Sequence, residues 1–155
     1  MPKDADAAPG ELPLTSALPG VVLDTNVVLD WLLFDEPSVA ELAAAVMGGR
    51  VRWLGTAAMR DEMAHVLSRG LAAAHGADPA ALAVAWDRHC TEYPPAPPAV
   101  AHLRCTDTDD QKFVDLALAS SARWLISRDR AVLKLRRRAA KLGLTIAPPD
   151  QWCLE

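Results

Sequence analysis

Two short apolar runs in this chain end at or near an acid. Val21-Val22-Leu23 stops at Asp24, and Trp124-Leu125-Ile126 is followed, after two intervening residues, by Asp129. Short β-branched and apolar runs bounded by polar turn residues have the pattern of strands buried on both faces. Open parallel sheets place their ligand sites beyond the carboxyl ends of such strands. An acid beside a buried strand is costly unless it is paired, hydrogen-bonded or bound to a cation. The two runs therefore constrain the fold and point to where a site lies.

The stretches between these runs are helical. Val27 to Phe34 is apolar enough for a buried first helix. Pro37 suits the start of a second, through Ser38 to Met47, ended by Gly48-Gly49. Val51 to Leu54 is a second strand, and Thr56 can cap a helix reaching about Arg69, before Gly70. Pro79 to His89 is an alanine-rich helix. Tyr93 to Pro98, with four prolines in six residues, is a stiff connector. Asp107-Thr108-Asp109-Asp110 precedes a helix through Ser121, and a basic helix covers Arg130 to Leu142. Leu144 to Ile146 is a last strand, and Pro148 starts a closing turn. Strands alternating with helices in this way imply βα units, an α/β fold with a mainly parallel, short-stranded sheet flanked by helices. Residues 1–19, rich in Pro, Ala, Gly and acids, read as a disordered lead-in to one domain over 20–155.

A length of 155 residues suits one domain. The net charge of −4 argues against a polycationic nucleic-acid binder but not against an acidic metal site, whose bound cation reverses the local sign. Cys90, Cys105 and Cys153 show no CxxC spacing, which suits a reduced, cytoplasmic setting without disulfides or zinc. The N-terminus lacks signal-peptide layout, and no apolar run approaches the roughly 20 residues that span a bilayer.

The acids are where chemistry can be read. For Asp24 the two readings are a helix cap and a metal ligand. Met59, Met63, Val66 and Leu67 form one helical face; Glu62 borders it, while Asp61 points to solvent. Glu62 is thus a candidate ligand or an ordinary flanking charge. Asp110 extends the stripe of Phe113, Leu116, Ala117 and Ser120 toward the helix mouth, where capping and coordination are equally open. Asp107 and Asp109 lie just outside and can cap or hold metal through water. Several carboxylates in one crevice require a cation, and an all-oxygen set suits Mg2+ or Mn2+ rather than zinc. The chemistry that follows is phosphodiester hydrolysis.

Other signals are weaker. Arg130, Lys134, Arg137, Arg138 and Lys141, with Arg128 and Arg136 adjacent, form a stripe that either tracks RNA phosphates or is a solvated face. Glu62-x-x-His65 is half of a di-iron ligand set, and no second half exists. His75, His89 and His102 read as surface or satisfied residues. The five tryptophans, Trp31, Trp53, Trp86, Trp124 and Trp152, read as core, or at strands as a subunit contact. Apolar surplus in the first two helices suggests an interface with a second copy or another protein. No G-x-S-x-G elbow or P-loop is present.

The stretches VVLDTNVVLDWLL, MRDEMAHVL, DTDDQKFVDLAL and WLISRD, in this order, resemble the PIN domain, in particular the toxin-like bacterial branch. The resemblance covers most of the chain from Val21 to Trp152 and implies an α/β/α sandwich with Asp24, Glu62 and Asp110 as core acids and Asp129 as the fourth. Which of Asp107, Asp109 and Asp110 is the direct ligand stays open. Gln111 stands where many relatives have another acid. Thr25 and Asn26 match the motif as supports of the Asp24 loop, and Ser127 matches a small polar position near the metal. The implied activity is metal-dependent RNA cleavage by the toxin half of a toxin–antitoxin pair, inhibited by a partner that inserts a basic side chain into the acidic site. The alternative is a PIN-like module that binds RNA or protein without cutting. A haloacid-dehalogenase-type phosphatase needs an acid where Asn26 stands.

Overall fold

The computed structural model describes residues 18–71, 74, 76, 78–95 and 103–154. Most of the expected lead-in, the end of the proline connector, His75 and His102 lie outside the described residues. Strand β1 is Gly20–Leu23, and all four of its residues are buried. Asp24 caps helix α1, Thr25–Leu32, by accepting from the Val27 amide at 3.0 Å. A 3-10 turn, Pro37–Val39, leads into α2, Ala40–Met47. Strand β2 is Arg52–Thr56, and Thr56 caps α3, Ala57–Val66, through the Met59 amide. After Leu67–Leu71, α4 spans Pro79–His89 and runs directly into strand β3, Cys90–Tyr93. A 3-10 turn, Thr108–Asp110, opens α5, Gln111–Ala119. Strand β4, Trp124–Ile126, is followed by α6, Arg130–Leu133, and α7, Arg136–Ala140, and then by β5, Thr145–Ala147.

The sheet order is β3-β2-β1-β4-β5, and every described pairing is parallel. The fold is α/β, as the alternation of strands and helices requires, and the sheet is parallel throughout its described length. From β1 the chain proceeds to β2 on one side, and from β4 to β5 on the other. The carboxyl ends of the adjacent strands β1 and β4 thus flank the topological switch point, where such sheets have their crevice.

The core fills both sides of these strands. Val21, Val22, Leu125 and Ile126 are fully buried, with Phe113, Leu116 and Val132 packed in the same cluster. Trp53 meets Trp86 edge-on at 4.7 Å and Trp31 at 5.2 Å, and Trp124 meets Trp152 at 5.4 Å. Four of the tryptophans are buried and Trp31 is half-buried against the core. Gly55 on β2 permits this closeness: a Cβ there would stand 2.9 Å from both the Trp86 ring and Cys90 Sγ. Cys90, Cys105 and Cys153 are free thiols. Among the described residues no helix is long and apolar enough to cross a membrane.

Three elements differ from the sequence reading. The first helix stops at Leu32, leaving Phe34 exposed before Asp35, whose φ is +51°. The expected basic helix is two short ones, because the Leu135 amide bonds three residues back to Val132. That tighter turn puts Val132, Leu135 and Ala139 all on the buried side. Strand β3 was not expected; its Cys90-Thr91-Glu92-Tyr93 sequence is only half-buried and has no apolar pattern.

Candidate metal centre

The parallel register builds the site. Leu23 pairs with Ile126, so the next residues, Asp24 and Ser127, leave β1 and β4 side by side. The ladder continues one step further, the Asp24 amide donating to the Ile126 carbonyl at 3.1 Å and the Ser127 amide to Ala147 at 3.1 Å. Asp24 is only 4% exposed and Ser127 is fully buried. The Ser127 hydroxyl donates to Asp24 Oδ2 in a short hydrogen bond and accepts from the Asp129 amide at 2.9 Å. One serine thus ties the acid at the end of β1 to the acid beyond β4.

Capping and site placement turn out not to be alternatives for most of these acids. Asp24 uses Oδ1 for the Val27 amide, Asp129 uses Oδ1 for the Ala131 amide at 2.9 Å, and Asp107 uses Oδ1 for the Asp109 amide at 2.9 Å. The second Asp24 oxygen takes the Ser127 hydroxyl, while the capping bonds of Asp107 and Asp129 use one oxygen each. Asp110 is different. It stands at the N-cap position of α5 but makes no capping bond, and its Oδ2 is buried with no donor among the described residues. Asp107, Asp110 and Asp129 each bring a carboxylate oxygen within 4.8 Å of the others.

The charges feel one another. Burial, then the neighbouring Asp129 carboxyl, then Asp107 and Asp24, push the Asp110 carboxyl up to about 7. Asp129 is held below the usual carboxylate range by the Asp110 carboxyl and the Ala131 amide. Burial raises Asp24, against the opposing bonds from Ser127 and Val27. Carboxylates whose ionised forms are this unfavourable in close quarters are relieved by a cation. The donors are all oxygen, and Asp110 Oδ2 has no hydrogen-bond partner among the described residues, so the group fits a hard divalent cation.

The remaining candidates lie around this group. Glu62 is half-buried beside the buried face of Met59, Met63 and Leu67, and Asp61 is exposed, as the helical spacing implies. The Glu62 carboxylate pairs with Lys112 at 2.6 Å and is not among the oxygens gathered by Asp107, Asp110 and Asp129. Asp109 is exposed, with its amide turned to Asp107 and its carbonyl to Lys112. Thr25 and Asn26 form the first turn of α1, and the Asn26 amide helps to hold Asp24. Arg128 reaches away from the acids to Asp30 at 2.9 Å and Ser38 at 2.7 Å, tying the β4–α6 loop to α1. Arg130, Lys134, Arg137 and Arg138 are exposed on α6 and α7 and the turn between them.

Lys112 took no part in the sequence reading of the acids, and Gln111 entered it only as a position where an acid was expected. Lys112 carries no signal beyond being a charge on an amphipathic helix. Gln111, present where an acid was expected, clamps the approach to α5: Oε1 accepts the Cys105 amide at 2.6 Å, and Nε2 donates to Leu103 O at 3.2 Å and to Asp115 at 2.9 Å. A carboxylate cannot make the two donations.

A family model described as the PIN domain matches residues 20–131, a span that holds every one of these acids. Neither comparison with curated proteins nor comparison with solved structures yields a match. PIN domains are in general nucleases, and the acid group lies where a parallel sheet of this order places its site. On a match covering most of its length, the chain belongs to the PIN-domain family.

Proposed function

We propose that this protein is a metal-dependent endoribonuclease, the toxin component of a toxin–antitoxin pair. Its acids are Asp24, Glu62, Asp110 and Asp129, with Asp107 and Asp109 at the rim and Mg2+ or Mn2+ as the ion. The observation that carries the reading is Asp110 Oδ2, buried without a donor among the described residues and set amid the carboxylates of Asp107 and Asp129. A binding module has no use for an arrangement that destabilises its own ionised state.

Asp24, Asp110 and Asp129 would hold the ion. When bound, such an ion lowers the pKa of a water and steadies charge on phosphorus and on the leaving oxygen. Ser127 keeps one Asp24 oxygen fixed and orients the start of the Asp129 loop. Arg128 holds that loop against α1 from the other side. Arg130, Lys134, Arg137 and Arg138 follow the loop and offer an RNA strand cations for its phosphates, contacts that set affinity rather than sequence.

The antitoxin reading draws on the first two helices. Met47 is 56% exposed and lines a cleft of about 170 Å3 with Trp31, Val39 and Ala43, edged by Asp35 and Glu36, and Phe34, just past the end of α1, is 40% exposed. An apolar floor with an acidic edge suits a partner peptide carrying basic side chains, and the same face suits self-association.

The test is cleavage of a mixed RNA pool by the full chain with Mg2+, with Mn2+ and with EDTA, beside Asp24→Asn. The expected result is metal-dependent cleavage that EDTA and the variant both abolish. Cleavage that persists in the variant, or folded wild type that binds Mn2+ but cuts no RNA, overturns the reading.

A further inference from the structure

We propose that Lys112 is an internal counter-ion for Glu62, which a divalent ion must displace before Glu62 can join the metal site. The inference rests on the nuclease reading and concerns how its site is regulated.

Lys112 is held at three points. Its ammonium meets Glu62 Oε1 at 2.6 Å, the Asp109 carbonyl at 2.5 Å and the face of the Phe113 ring at 4.8 Å. The Asp109 carbonyl belongs to the peptide that leads into Asp110. Glu62 Oε1 therefore lies within those two contact lengths, 2.6 and 2.5 Å, of the backbone entering the acid group. The pair also joins α3 to α5, the helix at whose mouth Asp110 stands.

A carboxylate already committed to an ammonium is a poor metal ligand, since its charge is neutralised and one oxygen is engaged. Both side chains are about one-third exposed, 31% for Lys112 and 36% for Glu62, so the pair is screened and weak enough to exchange. A doubly charged ion held by Asp24, Asp110 and Asp129 presents the stronger attraction. Lys112 thus sets a threshold: in metal-free protein it replaces the missing cation at the rim, and binding of the ion must overcome it. A plain clamp between two helices has no such competition with metal.

The experiment is a Mn2+ titration of the full chain, read by the electron paramagnetic resonance signal of the free ion. It compares wild type, Lys112→Met, Lys112→Arg, Glu62→Gln, Lys112→Met with Glu62→Gln, and Asp110→Asn as the site control. Lys112→Met is expected to bind Mn2+ about two- to fivefold more tightly, and Lys112→Arg within about twofold of wild type. Adding Glu62→Gln to Lys112→Met removes the gain, while the same change in wild type matters less. Circular dichroism establishes that each variant is folded. Should Lys112→Met not fold, the comparison of Lys112→Gln with and without Glu62→Gln carries the same coupling. Unchanged or weaker Mn2+ binding in folded Lys112→Met, with Asp110→Asn still abolishing it, overturns the counter-ion and leaves the nuclease reading standing. Equal binding by wild type and Asp110→Asn overturns the acid site itself.

Discussion

Ser127 donates its hydroxyl to the Asp24 carboxylate across a separation of 103 residues, and it does so fully buried. Its oxygen also takes the Asp129 amide, so the positions of two acids depend on one small side chain. Replacing Ser127 with Ala leaves a buried carboxylate oxygen and an amide without partners. The expected outcome is a loss of about 1–2 kcal/mol in denaturant unfolding. Groups that orient a metal ligand in this way typically account for about 10- to 100-fold in metal affinity, and the same loss is expected in Mn2+ titration.

The metal-free protein is expected to lose stability as pH rises from 5 to 8. Asp110, at about 7, and Asp24 are raised above their ordinary 3.8 in the folded chain, so the folded state keeps protons that the unfolded chain releases. The stability Asp110 contributes is complete below about pH 4 and is lost as pH rises through about 7, and Asp24 acts in the same direction. Asp129, being lowered, acts oppositely, but only below pH 4, where its stabilisation disappears as acid is added. Thermal melts in EDTA check this. Asp110→Asn is expected to flatten the decline between pH 5 and 8, and excess Mn2+ to reverse it in wild type.

Gln111→Glu restores the residue type expected in relatives, and it is predicted to destabilise. The variant keeps an acceptor for the Cys105 amide but loses both Nε2 donations, and it brings a negative charge toward Leu103 O and Asp115. A loss of about 1–3 kcal/mol is expected in chemical denaturation. Metal affinity should not rise, because the side chain faces the loop rather than the acid group.

Gly55→Ala tests the tryptophan packing. The added methyl would meet the Trp86 ring and Cys90 Sγ at 2.9 Å, closer than van der Waals contact allows. An overpacked core of this kind loses about 1–3 kcal/mol, and the near-UV circular dichroism of the Trp31-Trp53-Trp86 group should change with it.

For RNA contact, Lys134→Ala combined with Arg137→Ala is predicted to weaken binding in EDTA without altering the melting temperature by more than about 1 °C, both side chains being exposed. The slope of log affinity against log salt should fall by about 1 to 2. An unchanged slope in electrophoretic or polarisation titrations removes these two residues from the RNA path.

Part of the candidate site was legible from local pattern. The runs ending at Asp24 and before Asp129 identify strands because three or four β-branched and apolar residues between breakers suffice for a buried parallel strand. Pro79 and the alanines after it mark α4, whose observed limits, Pro79–His89, are those the sequence implies. The periodicity around Met59 and Met63 separates Glu62 from Asp61 because a helix repeats every 3.6 residues. Strand β3 escaped because Thr91 and Glu92 are exposed on an edge strand, which is fixed by pairing with β2 rather than by an apolar pattern.

By itself the sequence determined most of the element types, the α/β class with a mainly parallel sheet and the residues that had to lie near the strand ends, since these follow from forces acting within a few neighbours along the chain. Tertiary structure decided which oxygens face one another. That Asp110 makes no capping bond to α5, that Glu62 is held by Lys112, and that Gln111 closes a loop all depend on where the fold sets α3, α5 and the strand ends relative to one another. Contacts between residues so far apart depend on register and packed side-chain shape, which no local pattern encodes.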